Sequence, residues 1–296
     1  MATHTPTQDP RTQGATPEFP QEPIAHPGSE EQLTPKADHG EESYRGAGRL
    51  KDRVALITGG DSGIGRAVAL AFAREGADVV ISYLPDEERD AIETERLVTS
   101  AGRTAAKMPG DLTDERYCEG LAQAAFDRFG RVDVLVNNAA FQSTHESIEE
   151  FSTAEFDRAF KTNVYAMFWL CRTMLPRMPQ GGAIINTASI QAYDPSSELL
   201  PYAATKGAIV NFTKALAPIA MKRGVRVNAV APGPVWTPLI PSTMPPEKVK
   251  TFGADTAFGR PAQPAELAPL YVFLASNDAR FVTGEVFGAT GGQSPY

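Results

Sequence analysis

The stretch that decides the fold is VALITGGDSGIG, residues 54–65. Its first five residues form a short continuous apolar run, as expected of a strand that is buried on both faces of a sheet. Glycines then recur at positions 59, 63 and 65, and an apolar-periodic segment follows up to Gly76. Such glycines allow a tight turn, and the helix beyond presents free N–H groups and its positive dipole end to an anion. The stretch therefore predicts a strand, a phosphate-binding turn and a helix.

Strand-like and helix-like segments alternate along the chain from residue 49 onward. This alternation predicts one α/β domain over residues 49–296, with a doubly wound, seven-stranded parallel sheet and helices on both of its faces. The predicted strands are 54–58, 78–83, 104–108, 132–136, 183–187, 226–231 and 285–289. The predicted helices run from the glycine turn to 75, from 86 towards 102, over 113–129, from 152 through 171, and onward from 202. Ser152 and Glu155 form a capping box at the start of the fourth helix. Pro218 should kink or break the helix that begins at 202.

Composition and charge exclude several classes of protein. With 42% apolar residues in 296, the chain can bury a large core, and its formal charge of −8 argues against a nucleic-acid partner. No apolar run approaches the roughly 20 residues that a membrane helix needs, and the polar N-terminus does not resemble a secretory signal. Two distant cysteines, Cys118 and Cys171, predict neither a disulfide nor a metal site. We therefore expect a cytoplasmic protein with no metal, membrane or nucleic-acid partner.

Residues 1–48 differ from the rest of the chain. They hold seven of the 24 prolines, and eight acidic residues against three basic ones. Such a segment cannot bury enough apolar surface to offset its ordering entropy, so by itself it should be extended or disordered. The histidines at 4, 26 and 39 lack the spacing of metal ligands. We expect an extended N-terminal arm that docks against a folded surface.

Further motifs recur in the order found in the short-chain dehydrogenase/reductase family. The glycine turn is T-G-x-x-x-G-x-G, not G-x-G-x-x-G, and the resemblance spans residues from about 50 to 292. It implies a Rossmann-type fold and an NAD(P)-dependent oxidoreductase. The arm segment 35–44, leading into the glycine turn, resembles a bacterial general-stress branch of the family. The other matching segments are Asp111-Leu112, Asn137-Asn-Ala-Ala140, Asn163, Ser189, Tyr202-Ala-Ala-Thr-Lys206 and Pro232-Gly-Pro-Val-Trp-Thr237.

Four residues are candidates for catalysis. Hydride transfer to a carbonyl builds negative charge on oxygen, and Tyr202 is a candidate proton donor whose free pKa of ~10 makes it sluggish at neutral pH. Lys206 lies one helical turn on, so its ammonium would favour the phenolate and lower that pKa. Ser189 would hydrogen-bond the substrate oxygen. The resemblance implies that Asn163 orients a water in a proton relay to Lys206, which also holds the nicotinamide ribose.

The cofactor contacts are predicted from the same motifs. Asn137 should brace the end of the fourth strand, and Ala140 replaces the glycine that the family usually has, which narrows the space near the ribose. Proline's locked φ and glycine's freedom suit Pro232 and Gly233 to the turn that sets the nicotinamide face. The predicted cofactor-binding residues are Gly59, Asp61, Ser62, Gly63, Ile64, Gly65, Tyr83, Asp111, Leu112, Asn138, Ala139, Tyr202, Lys206, Pro232, Gly233, Val235 and Thr237.

The end of the second strand should decide between NAD and NADP, because it lies beside the adenosine ribose. An acid there would accept hydrogen bonds from a free 2′-hydroxyl and repel a 2′-phosphate. Tyr83 stands where that acid would fall, and Ser62 stands where many NADP-dependent members place a basic residue. We expect use of NAD(P)(H) with a slight lean to NADP.

The substrate is less well predicted than the cofactor. Residues 239–261, where the family has its mobile substrate lid, contain prolines, Met244, Phe252 and Phe258 and few charges. This composition favours small, moderately apolar aldehydes or ketones, with a sugar or polyol dehydrogenase as an alternative. No arginine stands out as a carboxylate ligand. A non-catalytic NAD(P)-binding structural or sensor protein is an alternative of another class, which the presence of both Tyr202 and Lys206 disfavours. Candidate pocket walls are Gln142, Gln191, Tyr193 and Trp236.

The family resemblance also implies an assembly. Members are commonly tetrameric, so we expect a homotetramer. The arm has no amphipathic helix or recognisable peptide motif, which favours self-association over a role in binding other proteins. We expect the arm, especially His39 to Leu50, to pack on a neighbouring subunit.

Overall fold

The computed structural model describes residues 8–293, and His4 of the predicted arm lies outside them. Within that range a single parallel sheet runs in the order β3-β2-β1-β4-β5-β6-β7. Every neighbouring pair of strands is parallel, which confirms the predicted doubly wound α/β fold. The strands are β1 (Val54–Thr58), β2 (Asp78–Tyr83), β3 (Ala105–Pro109), β4 (Val134–Asn137), β5 (Ala183–Thr187), β6 (Arg226–Pro232) and β7 (Val286–Ala289).

Helices connect the strands of the described range. The α-helices are α1 (Gly63–Arg74), α2 (Glu88–Ser100), α3 (Glu115–Phe129), α4 (Thr153–Phe160), α5 (Ala166–Met174), α6 (Leu200–Met221), α7 (Leu239–Thr243), α8 (Pro246–Lys250) and α9 (Pro264–Ala275). A π-helical turn, Lys161–Tyr165, joins α4 to α5. Short 3₁₀ helices cover Pro10–Thr12, Pro85–Glu87, Ile148–Glu150, Ile190–Ala192, Ser197–Leu199 and Asn277–Ala279.

Two predicted boundaries are corrected by local hydrogen bonds. Strand β4 begins at Val134 and not at residue 132, and the Asp133 carboxylate instead accepts a bond from the N–H of Val54, 2.9 Å away. Helix α6 is not broken at Pro218 but continues to Met221. Pro218 lies in its last turn, where a missing N–H disrupts little of the helix that follows. The predicted capping box at Ser152 is confirmed, because its side chain accepts from the N–H of Glu155.

The order of the strands creates a switch point between β1 and β4. Strands β2 and β3 lie on one side of β1, while β4 to β7 extend in the other direction. One apolar layer packs α3, α5 and α6 on one face of the sheet, and a second packs α1, α2 and α9 on the other. Ligands of doubly wound sheets bind outside the carboxyl ends of the strands at such a point. The fold therefore indicates a ligand site among the loops after β1, β4 and β5.

The described part of the arm is extended and packs on its own subunit. Phe19 stacks on Trp236 with ring centroids 4.0 Å apart, and Leu33 joins them in a small apolar cluster. The segment expected to pack on a neighbour also contacts the C-terminal end of α1 in its own subunit: the Tyr44 hydroxyl donates to Glu75 over 2.6 Å, and Leu50 is fully buried. Residues 42, 43 and 45–49 keep an exposed side. The arm alone has too little apolar surface to fold. In the whole chain its Phe19 and Leu33 pack with Trp236 and other residues of the later chain, and this contact orders the arm.

Candidate active site

A cleft of about 560 Å³ opens at the carboxyl ends of the strands, above the switch point. Its wall combines the glycine turn, the ends of β2, β4, β5 and β6, and the segment around α7 and α8. His26 and Pro27 of the arm also line it. All of the predicted site residues line this cleft except Gly65 and Asn163. The fold therefore brings together residues that are up to 178 positions apart, from Gly59 to Thr237.

The glycine turn is a cradle that side chains would fill. Gly59 has φ of +60°, and a Cβ there would lie 3.0 Å from the Cα of Ala139. A Cβ on Gly65 would lie 1.8 Å from the carbonyl oxygen of Gly59, so Gly65 serves close packing behind the cleft wall. The Thr58 hydroxyl accepts from the N–H groups of Asn138 and Ala139 over 2.9 and 3.1 Å. The turn is thus braced by β4 and leaves room for a pyrophosphate against its backbone.

Asn137 and Asn138 hold the end of β4. The amide of Asn137 donates to Asn186 on β5 over 2.8 Å, which agrees with its predicted bracing role. The amide nitrogen of Asn138 donates to the carbonyls of Thr58 and Gly59, both at 3.1 Å. Asn138 lines the cleft, but its amide nitrogen is committed to the shape of the glycine turn.

Two acids meet at the end of β2. Asp61 is buried and its Oδ2 has no hydrogen-bond partner within the described chain. Burial raises the pKa of Asp61 to about 6. Burial, followed by the nearby Asp61, raises the pKa of Glu87 to about 8. Sequence reasoning missed Glu87, although an acid four residues beyond Tyr83 was a visible signal. Tyr83 itself lines the cleft and donates its hydroxyl to Glu88.

Ser189, Tyr202 and Lys206 converge at the carboxyl end of β5. The Lys206 Nζ donates to the carbonyl of Thr187 over 2.8 Å and lies 5.1 Å from the centroid of the Tyr202 ring. Burial lowers the pKa of Lys206 to about 7. Burial also raises the pKa of Tyr202 to about 12, a shift that a hydrogen bond with Ser189 opposes. The lowered tyrosine pKa that we expected is thus absent, because desolvation of the phenolate outweighs the hydrogen bond with Ser189.

Asn163 lies beside this group and not in the cleft. The π-helical turn places it 3% exposed, where its Oδ1 accepts from the N–H of Phe141 over 2.7 Å. Its Nδ2 donates to the carbonyl of Phe141 and to the hydroxyl of Thr205, both over 2.9 Å. The side chain therefore joins the segment after β4 to helix α6, and is fully engaged in doing so. π-helical turns of this kind often occur at functional sites.

Of the four predicted pocket-wall residues, two line the cleft and two do not. Gln142 and Gln191 line the cleft, but Tyr193 packs against the core. Trp236 is 1% exposed and donates its Nε1–H to Pro35 of the arm over 2.8 Å, so it belongs to the arm cluster and not to the pocket. An arginine that the sequence did not single out also contributes to the wall. Arg158 lines the rim, with its guanidinium 4.5 Å from the ring centroid of Phe141.

The predicted lid and the arm are bonded to each other. The N–H of Ile24 donates to the carbonyl of Pro241 over 3.2 Å, and the Ser242 hydroxyl donates to Pro27 over 3.3 Å. Leu239, Ile240, Met244 and Phe252 line the cleft from the lid side. The arm therefore covers the outer side of the lid while the lid covers the cleft.

Comparison with known proteins places this site in a family. The model of the family described as Enoyl-(Acyl carrier protein) reductase matches residues 59–294. The chain belongs to this family, the short-chain dehydrogenase/reductases. It is an NAD(P)-dependent oxidoreductase of CH–OH or C=O groups. No helix in residues 8–293 has the length and apolar character needed to cross a membrane.

Three relatives cover nearly the whole chain. General stress protein 39 of Bacillus subtilis is 47% identical over 90% of this chain and 93% of its own length, which confirms the resemblance to the stress branch. Glucose and ribitol dehydrogenase of Daucus carota is 44% identical, covering 92% and 96%. NADPH-dependent aldehyde reductase 1, chloroplastic, of Arabidopsis thaliana is also 44% identical, covering 90% and 95%.

Two solved structures support the cofactor class. A short chain dehydrogenase from Burkholderia cenocepacia in complex with NADP has a TM-score of 0.77 at 28% identity, covering 83% of this chain and 99% of its own. A 3-ketoacyl-(acyl-carrier-protein) reductase from Brucella melitensis complexed with NADH has a TM-score of 0.73 at 34% identity, with the same coverage. Binding of NAD(P) is thus shown for the fold, and the slight lean to NADP is consistent with it.

Proposed function

We propose that the chain reduces small aldehydes or ketones with NAD(P)H, and that Ser189, Tyr202 and Lys206 carry the chemistry with Asn163 as their support. The observation that carries this proposal is the convergence of the three side chains in one cleft. The Tyr202 ring faces Lys206 at 5.1 Å, and Ser189 forms a hydrogen bond with Tyr202. A tyrosine, a lysine and a serine in this arrangement supply a proton donor, a cation and a hydrogen-bond donor to one oxygen.

The cleft fits a dinucleotide. A glycine-rich turn, with no room for a Cβ at Gly59, lies at the start of α1. An unpartnered carboxylate oxygen of Asp61 lies beside the end of β2, and the volume of the cleft suits a large ligand. We propose that the turn from Gly59 to Ile64 holds the pyrophosphate, that residues at the ends of β2 and β3 surround the adenosine, and that the loop after β6 holds the nicotinamide. The adenosine set is Asp61, Tyr83, Asp111 and Leu112, and the nicotinamide set is Ala139, Pro232, Gly233, Val235 and Thr237.

The protein's own residues handle the proton. When bound, the reduced nicotinamide supplies a hydride to the carbonyl carbon. Tyr202 donates its phenolic proton to the carbonyl oxygen, so the substrate leaves as the alcohol, and Ser189 holds that oxygen in place. Lys206 stabilises the resulting phenolate by its charge and returns a proton to it from solvent. Asn163 keeps the Phe141 segment and α6 in register, so that the tyrosine and lysine remain aligned.

The lid and the names of two relatives support the substrate class. The lid side of the cleft presents four large apolar residues, Leu239, Ile240, Met244 and Phe252, beside the charged Lys248 and Asp255, and this mainly apolar wall suits small carbonyl compounds. One plant relative is named as an aldehyde reductase, and the other as a dehydrogenase of glucose and ribitol, a specific reason to keep sugars and polyols as the second candidate. Arg158 and Lys248 add two cations to the wall of the cleft, and Asp255 adds an acid.

Consumption of NADPH and NADH against a panel of aldehydes, ketones and sugars tests this function. We expect turnover of at least one small carbonyl compound, and a loss of about 10²–10⁴-fold in kcat for Tyr202→Phe, since it removes the general acid. Tyr165→Phe is the matched control, because Tyr165, the last residue of the π-helical turn, is 48% exposed and does not line the cleft. Undiminished turnover in Tyr202→Phe would exclude the mechanism, and turnover of sugars alone would favour the second candidate.

We also propose a cytoplasmic homotetramer with an N-terminal arm, residues 1–48, and a catalytic domain, residues 49–296. Exposed apolar side chains on and around α4 and α5 support self-association, because clusters of this kind mark interaction surfaces. They include Ile148 at 68% exposure, Phe156 at 39% and Phe168 at 43%. The arm would reach a neighbouring subunit with the exposed side of residues 42–49, since its buried side is occupied by its own α1.

A further inference from the structure

The helix that begins at the glycine turn is capped from outside the turn. Ser62 occupies the cap position of α1 with an extended backbone, but its hydroxyl makes no capping hydrogen bond. The first helical N–H, that of Gly63, instead donates to the Oε1 of Glu30 over 2.7 Å. The first N–H groups of a helix have no partner within the helix, and a carboxylate is a strong acceptor for them. Glu30 of the arm, 33 positions upstream, therefore caps the helix in place of a local side chain.

Glu30 is held in place from three directions. It is 6% exposed, and its Oε1 also lies 2.8 Å from the Nε2 of His39. The N–H of Glu30 donates to Asp90 on α2 over 2.9 Å, and Asp90 lies 3.3 Å from the guanidinium of Arg66 on α1. A buried carboxylate with this many partners cannot swing away without leaving charges unpaired. Its position is therefore a fixed part of the fold.

The cap lies behind the cleft wall. Ser62, Gly63 and Ile64 line the cleft, whereas Glu30 does not. The Ser62 side chain forms a hydrogen bond with Asp61 and does not cap the helix. A carboxylate near a helix N-terminus would repel an anion by charge alone, but His39 and Arg66 lie on the same cluster and offset it. Glu30 therefore contributes to the turn mainly by fixing the position of the Gly63 N–H, and not through its charge.

We propose that Glu30 is a positioning residue for the cofactor, which holds the glycine turn in the shape that receives the pyrophosphate of NAD(P)(H). The arm is thereby part of the cofactor site and does more than cover the lid. This role concerns binding and does not depend on the proposed proton transfer by Tyr202.

Binding of ADP-ribose to the full chain, measured by calorimetry, tests the role without any turnover. This probe carries the pyrophosphate but no nicotinamide. We expect Glu30→Ala to weaken its binding about 10-fold, the size expected when a hydrogen bond to a charged group is lost. Glu30→Gln keeps an oxygen acceptor for Gly63 and should recover most of that loss. At saturating cofactor, kcat should stay within about 2-fold of wild type, because the change acts on binding alone.

Hydrogen exchange of residues 60–66 gives a second readout, and we expect faster exchange in Glu30→Ala. Tyr44→Phe is the matched control, because it removes an arm hydrogen bond of 2.6 Å at the opposite end of α1. It should leave binding of ADP-ribose within about 2-fold of wild type. If Glu30→Ala does not fold, Glu30→Asp, which retains the charge but falls short of Gly63, should show the same loss.

Unchanged or tighter binding of ADP-ribose by Glu30→Ala would overturn the proposal, and so would equal weakening in Tyr44→Phe. These outcomes are separate from the fate of the proposed function. An active Tyr202→Phe would remove the mechanism and leave the role of Glu30 intact.

Discussion

Several side chains of this protein lie in environments that shift their pKa values away from those in water. Tyr202 and Lys206 are both buried, and burial disfavours the charged form of each. The phenolate of the proposed mechanism would therefore need both the charge of Lys206 and the positive charge that a bound nicotinamide acquires when it gives up its hydride. His39 presents the reverse case, a buried base that is surrounded by acids.

His39 should contribute pH-dependent stability. Burial alone would lower its pKa, but the carboxylates of Glu30 and Glu41 outweigh burial and the repulsion of Arg66, and raise the pKa to about 9. A raised pKa stabilises the folded state fully below the unfolded value of ~6.5, and the gain disappears as the pH rises through about 9. We expect His39→Gln to lower the free energy of unfolding by on the order of 2 kcal/mol at pH 6 and by little at pH 10.

Urea unfolding of the wild type and His39→Gln at pH 6, 8 and 10 measures this difference. His145→Gln serves as the control, because His145 pairs with Glu155 in a partly exposed site, where ion pairs contribute only about 0–1 kcal/mol. A deficit of His39→Gln that stays constant from pH 6 to pH 10 would show that the ion pairs of His39 are not its source.

Asp61 should affect the choice between the two cofactors. Its unpartnered carboxylate oxygen and Glu87 lie at the end of β2, beside the expected adenosine ribose. A carboxylate there repels a 2′-phosphate, so we expect Asp61→Asn to raise the affinity for NADPH relative to NADH about 5-fold. Titration of both cofactors at pH 8 measures the ratio. Glu93→Gln, an exposed acid of α2 outside the cleft, should leave the ratio unchanged, and an unchanged ratio in Asp61→Asn would assign the choice to other residues.

Among the elements, the π-helical turn between α4 and α5 has the clearest consequence for the site. A regular helix over the same residues would rotate Asn163 relative to the residues that follow. The turn aims its amide at the backbone of Phe141 and at Thr205 of α6. One element thereby ties the loop after β4 to the helix that carries Tyr202 and Lys206.

Substitution of Asn163 should harm both stability and rate. Asn163→Ala leaves the part-buried N–H and carbonyl of Phe141 without their Asn163 partner, at a cost of about 1 kcal/mol for each group, the low end of the range for a lost partner. We expect a lower Tm and a kcat reduced about 10-fold or more, since small misplacements of catalytic groups are costly. Asn211→Ala is the control on the exposed face of α6. A normal kcat in Asn163→Ala would exclude the alignment role.

On the level of the whole molecule, the arm joins parts that the sheet alone would leave separate. It crosses the lid at residues 18–28, contributes Phe19 and Leu33 to the cluster around Trp236, and reaches α1 at both of its ends. The lid thus has an apolar anchor on its outer side. Loss of the arm should therefore disturb the lid and the glycine turn together.

Deletion of the arm, residues 1–48, should lower the Tm and reduce the mass of the assembly. The first effect follows from the buried arm residues, and the second from the proposed contact between the arm and a neighbouring subunit. Phe19→Ala separates the two, because it removes a buried ring and should lower the Tm while the mass is kept. Light scattering and calorimetry measure both quantities. If the deletion changes neither of them, the arm has no role in folding or assembly.

The local features of this protein could be read from the order of its residues. An apolar run followed by glycines at 59, 63 and 65 specifies a strand, a turn and a helix within 12 residues, and Tyr202 and Lys206 share a helix face by spacing alone. The parallel sheet follows from the alternation of such units, since right-handed crossovers leave few other topologies. The bounds of β1, β2 and β5 were accordingly correct to the residue.

Contacts between distant segments could not be read in this way. The cap that Glu30 gives Gly63, the stacking of Phe19 on Trp236 and the meeting of Asp61 with Glu87 depend on which surfaces come together when the chain closes. The same holds for the pKa values of Tyr202 and Lys206, which reflect how completely water is removed from around them. Local sequence specifies backbone shape through short-range sterics and hydrogen bonding. Burial and long-range pairing arise only from the packed structure, because they depend on all the neighbours that a side chain acquires there.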